Sequence, residues 1–364
     1  MSNEAFDLDA ALAAAQQRSP RPAMPSAELR LRLKTSPALR RLLPTRLAVS
    51  RAAAKGRARW EDADARRDAL AATNAIVGGT SRAGDAEQLA RRRLVEDEVN
   101  RALFWQPWST SKLDAASTRN LEAAYASPRP VLISLCHLGP NFLAMSALTS
   151  LGHHEVAVAA PWFFAPPTPD YWGRRIARWW RGIYPREERV ISSEGGFPLY
   201  KALLERNESL LIYFDMPGSR RTQFLGKPVM LGSGSSQLAF QTGAVVLPLR
   251  ARRDGHRAWT DVSAPIDARD FATAEELHDA LAAVHERSIL ELPETLEEPN
   301  RPGAWEGGAN EREWARPTSA AKAADASAPE AARVQLNDGD GQQAASQVAL
   351  AGGSTSAAGA ERRG

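Results

Sequence analysis

Residues 131–142 read Val131-Leu132-Ile133-Ser134-Leu135-Cys136-His137-Leu138-Gly139-Pro140-Asn141-Phe142. The run before His137 has the length of a buried strand, is rich in β-branched and aliphatic residues, and ends in a Gly-Pro turn. A strand that delivers a histidine into such a turn is one way a sheet presents a general base at its edge. The plainer alternative is a partly buried imidazole hydrogen-bonded at a strand end.

Similar apolar runs recur at Val156–Ala160, Leu210–Phe214 and Val245–Arg250. Between and beyond them, helical patterns cover Asn141–Ser150, Tyr171–Ile183, Gly196–Arg206, Ser235–Thr242 and Ala274–Glu291. This alternation predicts an α/β fold. Asp254-Gly255 is a hairpin signal joining Val245–Arg250 to Ala258–Val262, so the far edge is expected to be antiparallel and the central sheet mixed, flanked by helices. Upstream, helical patterns dominate: Trp60–Thr73, then Ala86–Trp105 with Leu89, Leu94, Val99, Leu103 and Phe104 near one face, separated by a break at Gly78-Gly79-Thr80-Ser81. The organisation expected is a flexible tail over residues 1–28 with room for one short helix, an N-terminal helical basic region over 29–125, an α/β core over 126–300 and a disordered tail over 301–364. That last segment is rich in Ala, Ser, Gly and Gln and has too few large apolar residues to stay ordered.

At 364 residues, 43% apolar and 24% charged, the chain is long enough for a substantial core. A net charge of +3 is mild, but Arg30 to Arg59 carries ten Lys or Arg and no Asp or Glu. With Leu31, Leu33, Leu39, Leu42, Leu43, Leu47 and Val49 interleaved, this stretch suits anionic headgroups or an acidic carrier protein, or is a solvated helix face. No helix-turn-helix spacing, zinc ligand set or ribonucleoprotein motif accompanies it, so nucleic acid is not expected. The single cysteine, Cys136, excludes an intramolecular disulfide and fits a reducing compartment; it is expected in the core, pointing away from His137. No run reaches the roughly 18–20 apolar residues of a membrane span, and Met1 to Pro20 does not read as a signal peptide, so a cytoplasmic chain is expected. His153-His154-Glu155 lacks zinc-protease spacing, and there is neither a Gly-x-Ser-x-Gly elbow nor a cysteine cluster. No metal and no tightly bound cofactor are expected.

From Leu210 the chain runs Leu-Leu-Ile-Tyr-Phe-Asp-Met-Pro-Gly, then Phe224-Leu225-Gly226-Lys227-Pro228, then Leu238-Ala239-Phe240-Gln241-Thr242-Gly243-Ala244-Val245-Val246-Leu247-Pro248. Following the His137 block, this order resembles the late acyltransferases of bacterial lipid A biosynthesis, the lauroyl and myristoyl acyltransferases, over about residues 42–293. The resemblance implies a lysophospholipid-acyltransferase-like fold. It implies transfer of a fatty acyl chain from acyl carrier protein or acyl-CoA, as co-substrate, to a hydroxyl or amine of a lipid or glycolipid acceptor. It places His137 at the catalytic position; members commonly carry an N-terminal anchor, and the departure from that here implies a protein peripheral on the inner face of the cytoplasmic membrane. The family motif is histidine, four residues, then a carboxylate; here the fifth position is Phe142, so this is a divergent member. Either another group supports His137, or the fold serves as a catalytically inactive acyl-lipid or acyl-carrier binding protein.

The remaining candidates each carry two readings. Asn141 either turns its amide back toward the His137 ring or caps a helix near Pro140. Asp215, at a predicted strand end, accepts the histidine's second N–H, binds the acceptor, or caps a turn. Arg220 and Arg221 neutralise a phosphate of phosphopantetheine, coenzyme A or a headgroup, or are simply exposed. Gly234, in Gly232-Ser233-Gly234-Ser235-Ser236, opens a helix whose free N–H groups suit an anion, without the ending of a P-loop. Arg174 and Arg181 flank Trp172, Ile176, Trp179 and Ile183 on a helix that is either interfacial or core-packed. Phe142 and Trp162-Phe163-Phe164 line an acyl groove or the core.

Overall fold

The computed structural model describes residues 6–17, 42–104, 111–159, 189–297 and 305. Its helices are α1 (Leu8–Gln16), α2 (Thr45–Ala58), α3 (Ala63–Val77), α4 (Ala86–Phe104), α5 (Ala115–Tyr125), α6 (Ala144–Ser150), α7 (Gly196–Glu205), α8 (Gly234–Thr242) and α9 (Ala274–Glu291). Its strands are β1 (Ser111–Lys112), β2 (Val131–Leu135), β3 (Val156–Ala159), β4 (Val190–Ser192), β5 (Leu210–Tyr213), β6 (Pro217–Phe224), β7 (Lys227–Leu231), β8 (Val245–Asp254), β9 (Arg257–Val262) and β10 (Ile266–Asp267).

The central sheet runs β1-β9-β8-β2-β5-β3-β4, with β10 also paired to β8. The β8-β2-β5-β3-β4 block is parallel, β9 and β10 are antiparallel to β8, and β1 is parallel to β9. The fold is therefore α/β with a mixed sheet between helices. The Asp254-Gly255 signal is realised as the β8–β9 hairpin, although β1 continues the sheet beyond β9, so β9 is not the edge. Two-residue alternation divides the sheet. Leu132, Leu210, Phe214 and Val246 join Leu199, Leu203, Leu238, Leu277, Leu281 and Ile289 of α7, α8 and α9 in one core layer. On the other face, Ile133, Leu135, Leu211, Leu247 and Leu249 pack with Leu121 of α5 and Met145 and Leu148 of α6.

The Asn141–Ser150 helix is divided: a 3-10 turn over Asn141–Leu143 precedes α6, because the chain must first leave the Gly139 turn at φ 63°. Residues 224–228 form the bend of a β6–β7 hairpin, which the sequence reading did not assign to strands. Leu225 and Gly226 turn it at φ 55° and 74°, and a Cβ on Gly226 would lie 1.9 Å from the Gly79 carbonyl oxygen. The Gly78-Gly79 break and this turn thus require each other.

Among the N-terminal helices, α2 crosses α4 so closely that a Cβ on Gly56 would fall 2.5 Å from the Leu94 carbonyl oxygen. Buried Glu98 accepts from Lys55 at 2.9 Å and from Arg59 and Arg101 at 3.1 Å, which fastens α2 to α4. Helix α4 does not bury a single face: Leu89 joins the main core, Leu94 packs with Trp60 and Ala69, and Val99 and Leu103 pack with Val49 and Ala52. Helices on several sides leave it without an apolar stripe of the kind expected.

The described residues bear on three of the expected segments. The short helix of the 1–28 tail, α1, is docked rather than loose, with Leu8 and Ala15 buried against the main core. Before residue 126, β1 already extends the sheet and α5 covers it, so the division at 125/126 cuts through one packed unit. In the expected disordered tail, Trp305 is 7% exposed, and its ring meets Phe224 edge-on at 5.7 Å. The rest of residues 301–364 lies outside the described residues.

Helix α9 carries two histidines into the main core. His285 Nε2 pairs with Ser134 Oγ at 2.8 Å and His278 Nε2 with Thr222 Oγ1 at 2.9 Å, and both rings pack on Phe214. Burial pushes both imidazoles down to about 4, helped at His278 by the Arg220 charge. The folded state therefore keeps them neutral, while the unfolded chain takes up protons below its ordinary value of about 6.5. Their stabilisation is complete above about pH 6.5 and is lost as pH falls toward 4, at a cost on the order of 3 kcal/mol for each. Urea unfolding should show a drop in stability between pH 7.5 and pH 5 that is flatter in the His278→Gln/His285→Gln variant. An unchanged slope would mean these histidines do not set the acid limit.

Candidate active site

The register Leu135↔Tyr213 aligns the C-terminal ends of β2 and β5, and Phe214 N–H donates to the Leu135 carbonyl at 2.8 Å to carry the ladder one step further. His137 and Asp215 each lie two residues past their strand end, on the same face, so parallel pairing makes them neighbours. His137 Nδ1 lies 2.9 Å from Asp215 Oδ1, and the His137 backbone N–H donates to Asp215 Oδ2 at 3.0 Å. Asp215 is fully buried, and one residue satisfies both of its oxygens. Because a carboxylate can only accept, Nδ1 carries the hydrogen and Nε2 keeps its lone pair. The His137 side chain is 28% exposed, which leaves an edge open to a reactant.

Burial alone would lower the His137 imidazole. The charge and hydrogen bond of Asp215, with the charge of Glu297, outweigh it and hold the ring above its ordinary value. Glu297 is brought here by an antiparallel bridge between Leu138 and Leu296, in which its N–H donates to the His137 carbonyl at 2.7 Å. The Gly139 N–H donates to the Thr295 carbonyl at 2.9 Å, so the His137 turn is tied down on both sides. Below Asp215, Trp305 Nε1 donates to its backbone carbonyl at 2.9 Å.

A second support comes from Tyr213, which stacks on the His137 ring at 3.9 Å and 13°. Its hydroxyl donates to Asn141 Oδ1 at 2.8 Å. Burial first, then the charges of Glu297 and Asp215, raises the phenol, so it remains a donor. This corrects the expected role of Asn141: its amide does not turn to the imidazole but holds the tyrosine that covers it. Phe142 is half-buried and packs against two clusters, the sheet-face core of Leu135, Met145 and Leu148 and the helical cluster of Val99 and Leu103, so it supplies apolar contact and no support to the imidazole.

Other expected residues lie elsewhere. Arg220 is engaged by α9, through Asp279 Oδ1 at 3.3 Å and Glu275 Oε1 at 3.8 Å, and Arg221 is exposed on β6. Gly234 opens α8, whose Leu238 and Ala239 pack on the sheet face opposite to His137. A Cβ at Gly234 would meet nothing within 4 Å, so no tight cradle requires glycine there. Arg174 and Arg181, with the expected helix Tyr171–Ile183 and Trp162-Phe163-Phe164, lie outside the described residues. Cys136 is buried in the main core as expected, and burial pushes its thiol well up. The sequence reading missed Tyr213, Glu297 and Trp305. Tyr213 alone carried a signal, as the one polar-tipped side chain in the Leu210–Phe214 run and on the same face as Asp215.

The Tyr213 hydroxyl and Asn141 should act as one unit. In a double-mutant cycle of Tyr213→Phe and Asn141→Ala, urea unfolding should give a coupling of about 0.5–1.5 kcal/mol. A coupling near zero would remove the clamp on His137.

No protein-family model and no curated protein matches the chain. Among solved structures, the crystal structure of the 1-acyl-sn-glycerophosphate (LPA) acyltransferase PlsC from Thermotoga maritima aligns with a TM-score of 0.35 at 16% identity, over 57% of this chain and 83% of that one.

Proposed function

We propose that this protein is an acyltransferase that moves a fatty acyl chain from an acyl carrier protein or coenzyme A thioester to a hydroxyl or amine of a lipid or glycolipid. The observation that carries this reading is the His137–Asp215 pair, with Nδ1 held and Nε2 free. The acceptor oxygen attacks the thioester carbonyl carbon while Nε2 takes its proton. The tetrahedral centre then collapses, the carbon–sulfur bond breaks, and the imidazolium proton passes to the leaving sulfur. Asp215 fixes the tautomer and stabilises the imidazolium, the part played by the buried aspartate of serine protease triads. A carboxylate supplied from β5 also favours an enzyme over an inactive acyl-binding protein, because Phe142 had been the ground for the latter.

Helix α2 supports work at the inner membrane face or on an acidic carrier. It exposes Arg46, Arg51 and Arg57, and Leu47 and the preceding Leu42 stand 42% and 78% exposed. Cations beside bare leucines suit an anionic, partly apolar partner. Among the described residues no helix is long and apolar enough to cross a membrane.

Incubation with labelled palmitoyl carrier protein and membrane lipid should yield a labelled lipid, and His137→Ala should reduce it to background. Because the imidazole is held above its ordinary value, kcat/KM should rise with pH through an apparent pKa above about 6.5. Asp215→Asn should move that pKa down and cost roughly 10³- to 10⁴-fold in rate. Full activity in Asp215→Asn would sink the mechanism, and transfer by His137→Ala would remove the base.

A further inference from the structure

Helix α4 carries one polar stripe: Arg93, Glu96, Asp97 and Asn100 recur at three- and four-residue spacing. Two contacts fix where the stripe faces. Glu96 pairs with Arg253 near the end of β8, and neighbouring Arg92 reaches Glu294 at 3.7 Å, in the segment that bridges to His137. The Glu297 carboxyl feels the charges of His137, Asp97 and Arg93 together, so this side of α4 borders the candidate site.

Two residues of the stripe stand out because they lack partners. Arg93 and Asn100 are each only 7% exposed, yet Arg93 Nη1 and Asn100 Oδ1 are buried without a hydrogen bond. Arg93 enters none of the ion pairs among the described residues, whereas every cation around Glu98 on the same helix is paired. The Arg93 charge lies in the field of the Asp97 and Glu297 carboxyls, yet neither meets Nη1, and a buried polar group left without a hydrogen bond is costly. An unmet guanidinium donor calls for an oxyanion, and an unmet amide oxygen calls for an O–H or N–H. At 1.5 Å per residue their Cα atoms are about 10 Å apart along the helix, the span of a small polar headgroup.

We propose that Arg93 and Asn100 hold the polar head of the acyl acceptor, with Arg93 taking an anionic phosphate or carboxylate oxygen and Asn100 a hydroxyl. The assignment rests on the acyl-transfer reading of His137 for the word acceptor, but not for the anion site itself. It also replaces Arg220, which α9 already engages, as the arginine available to an anion.

The test is calorimetric titration of the full chain with glycerol 3-phosphate, inorganic phosphate, glycerol and coenzyme A. Wild type should bind glycerol 3-phosphate saturably, Arg93→Gln should bind it at least about tenfold more weakly, and Arg93→Lys should recover part of the loss. Equal binding by Arg93→Gln, or no saturable binding by wild type, overturns the proposal. Loss of coenzyme A binding alone overturns the acceptor assignment and gives the anion to the donor. Binding as proposed without any acyl transfer would refute the enzyme reading while leaving the anion site standing.

Discussion

Asp215 is a carboxylate with no exposure to water, and so much of the surrounding structure depends on how it is satisfied. Both its oxygens are taken by His137, one by the backbone and one by the ring, and its carbonyl is taken by Trp305. A buried charge tolerates this only with short, well-aligned partners, since losing one leaves the other uncompensated. That constraint fixes the His137 backbone as well as its side chain, and with it the turn that Thr295 and Glu297 tie down. The group that makes the imidazole basic is thus also the group that holds it in place.

Four elements distant in sequence meet around this pair. Strand β5 supplies Tyr213 to the ring face and Asp215 to its edge. The turn after β2 supplies His137 and Asn141. The segment after α9 supplies Glu297, and Trp305 links Asp215 to the β6–β7 hairpin through a hydrogen bond from Met230 N–H to its own carbonyl at 2.7 Å. Packing carries the arrangement outward: Phe142 joins the sheet core to α2 and α4, and α4 is tied to β8 by Glu96–Arg253 and to the segment before Glu297 by Arg92–Glu294. Two buried histidines of α9 lie behind Phe214, on the far face, where their role is to remain neutral. One histidine is held above its ordinary pKa and two far below it, and the difference is whether a carboxylate or a hydroxyl faces the ring.

The sequence by itself determined the elements. Apolar runs of strand length alternating with helical periods require a sheet between helices, and Asp-Gly at 254–255 requires a hairpin. His137 and Asp215 were legible because each follows a buried strand, where open α/β sheets expose functional groups. Tertiary structure alone decided which strands are neighbours. The pairing of β2 with β5, in the register Leu135↔Tyr213, is a non-local choice set by packing on both sheet faces, and nothing in the residues next to His137 names Asp215 as its partner. For the same reason α4 read as a one-sided helix although it is enclosed on several sides. Burial and partnership depend on what the rest of the chain brings to a residue, and the residue's own neighbours in sequence do not specify that.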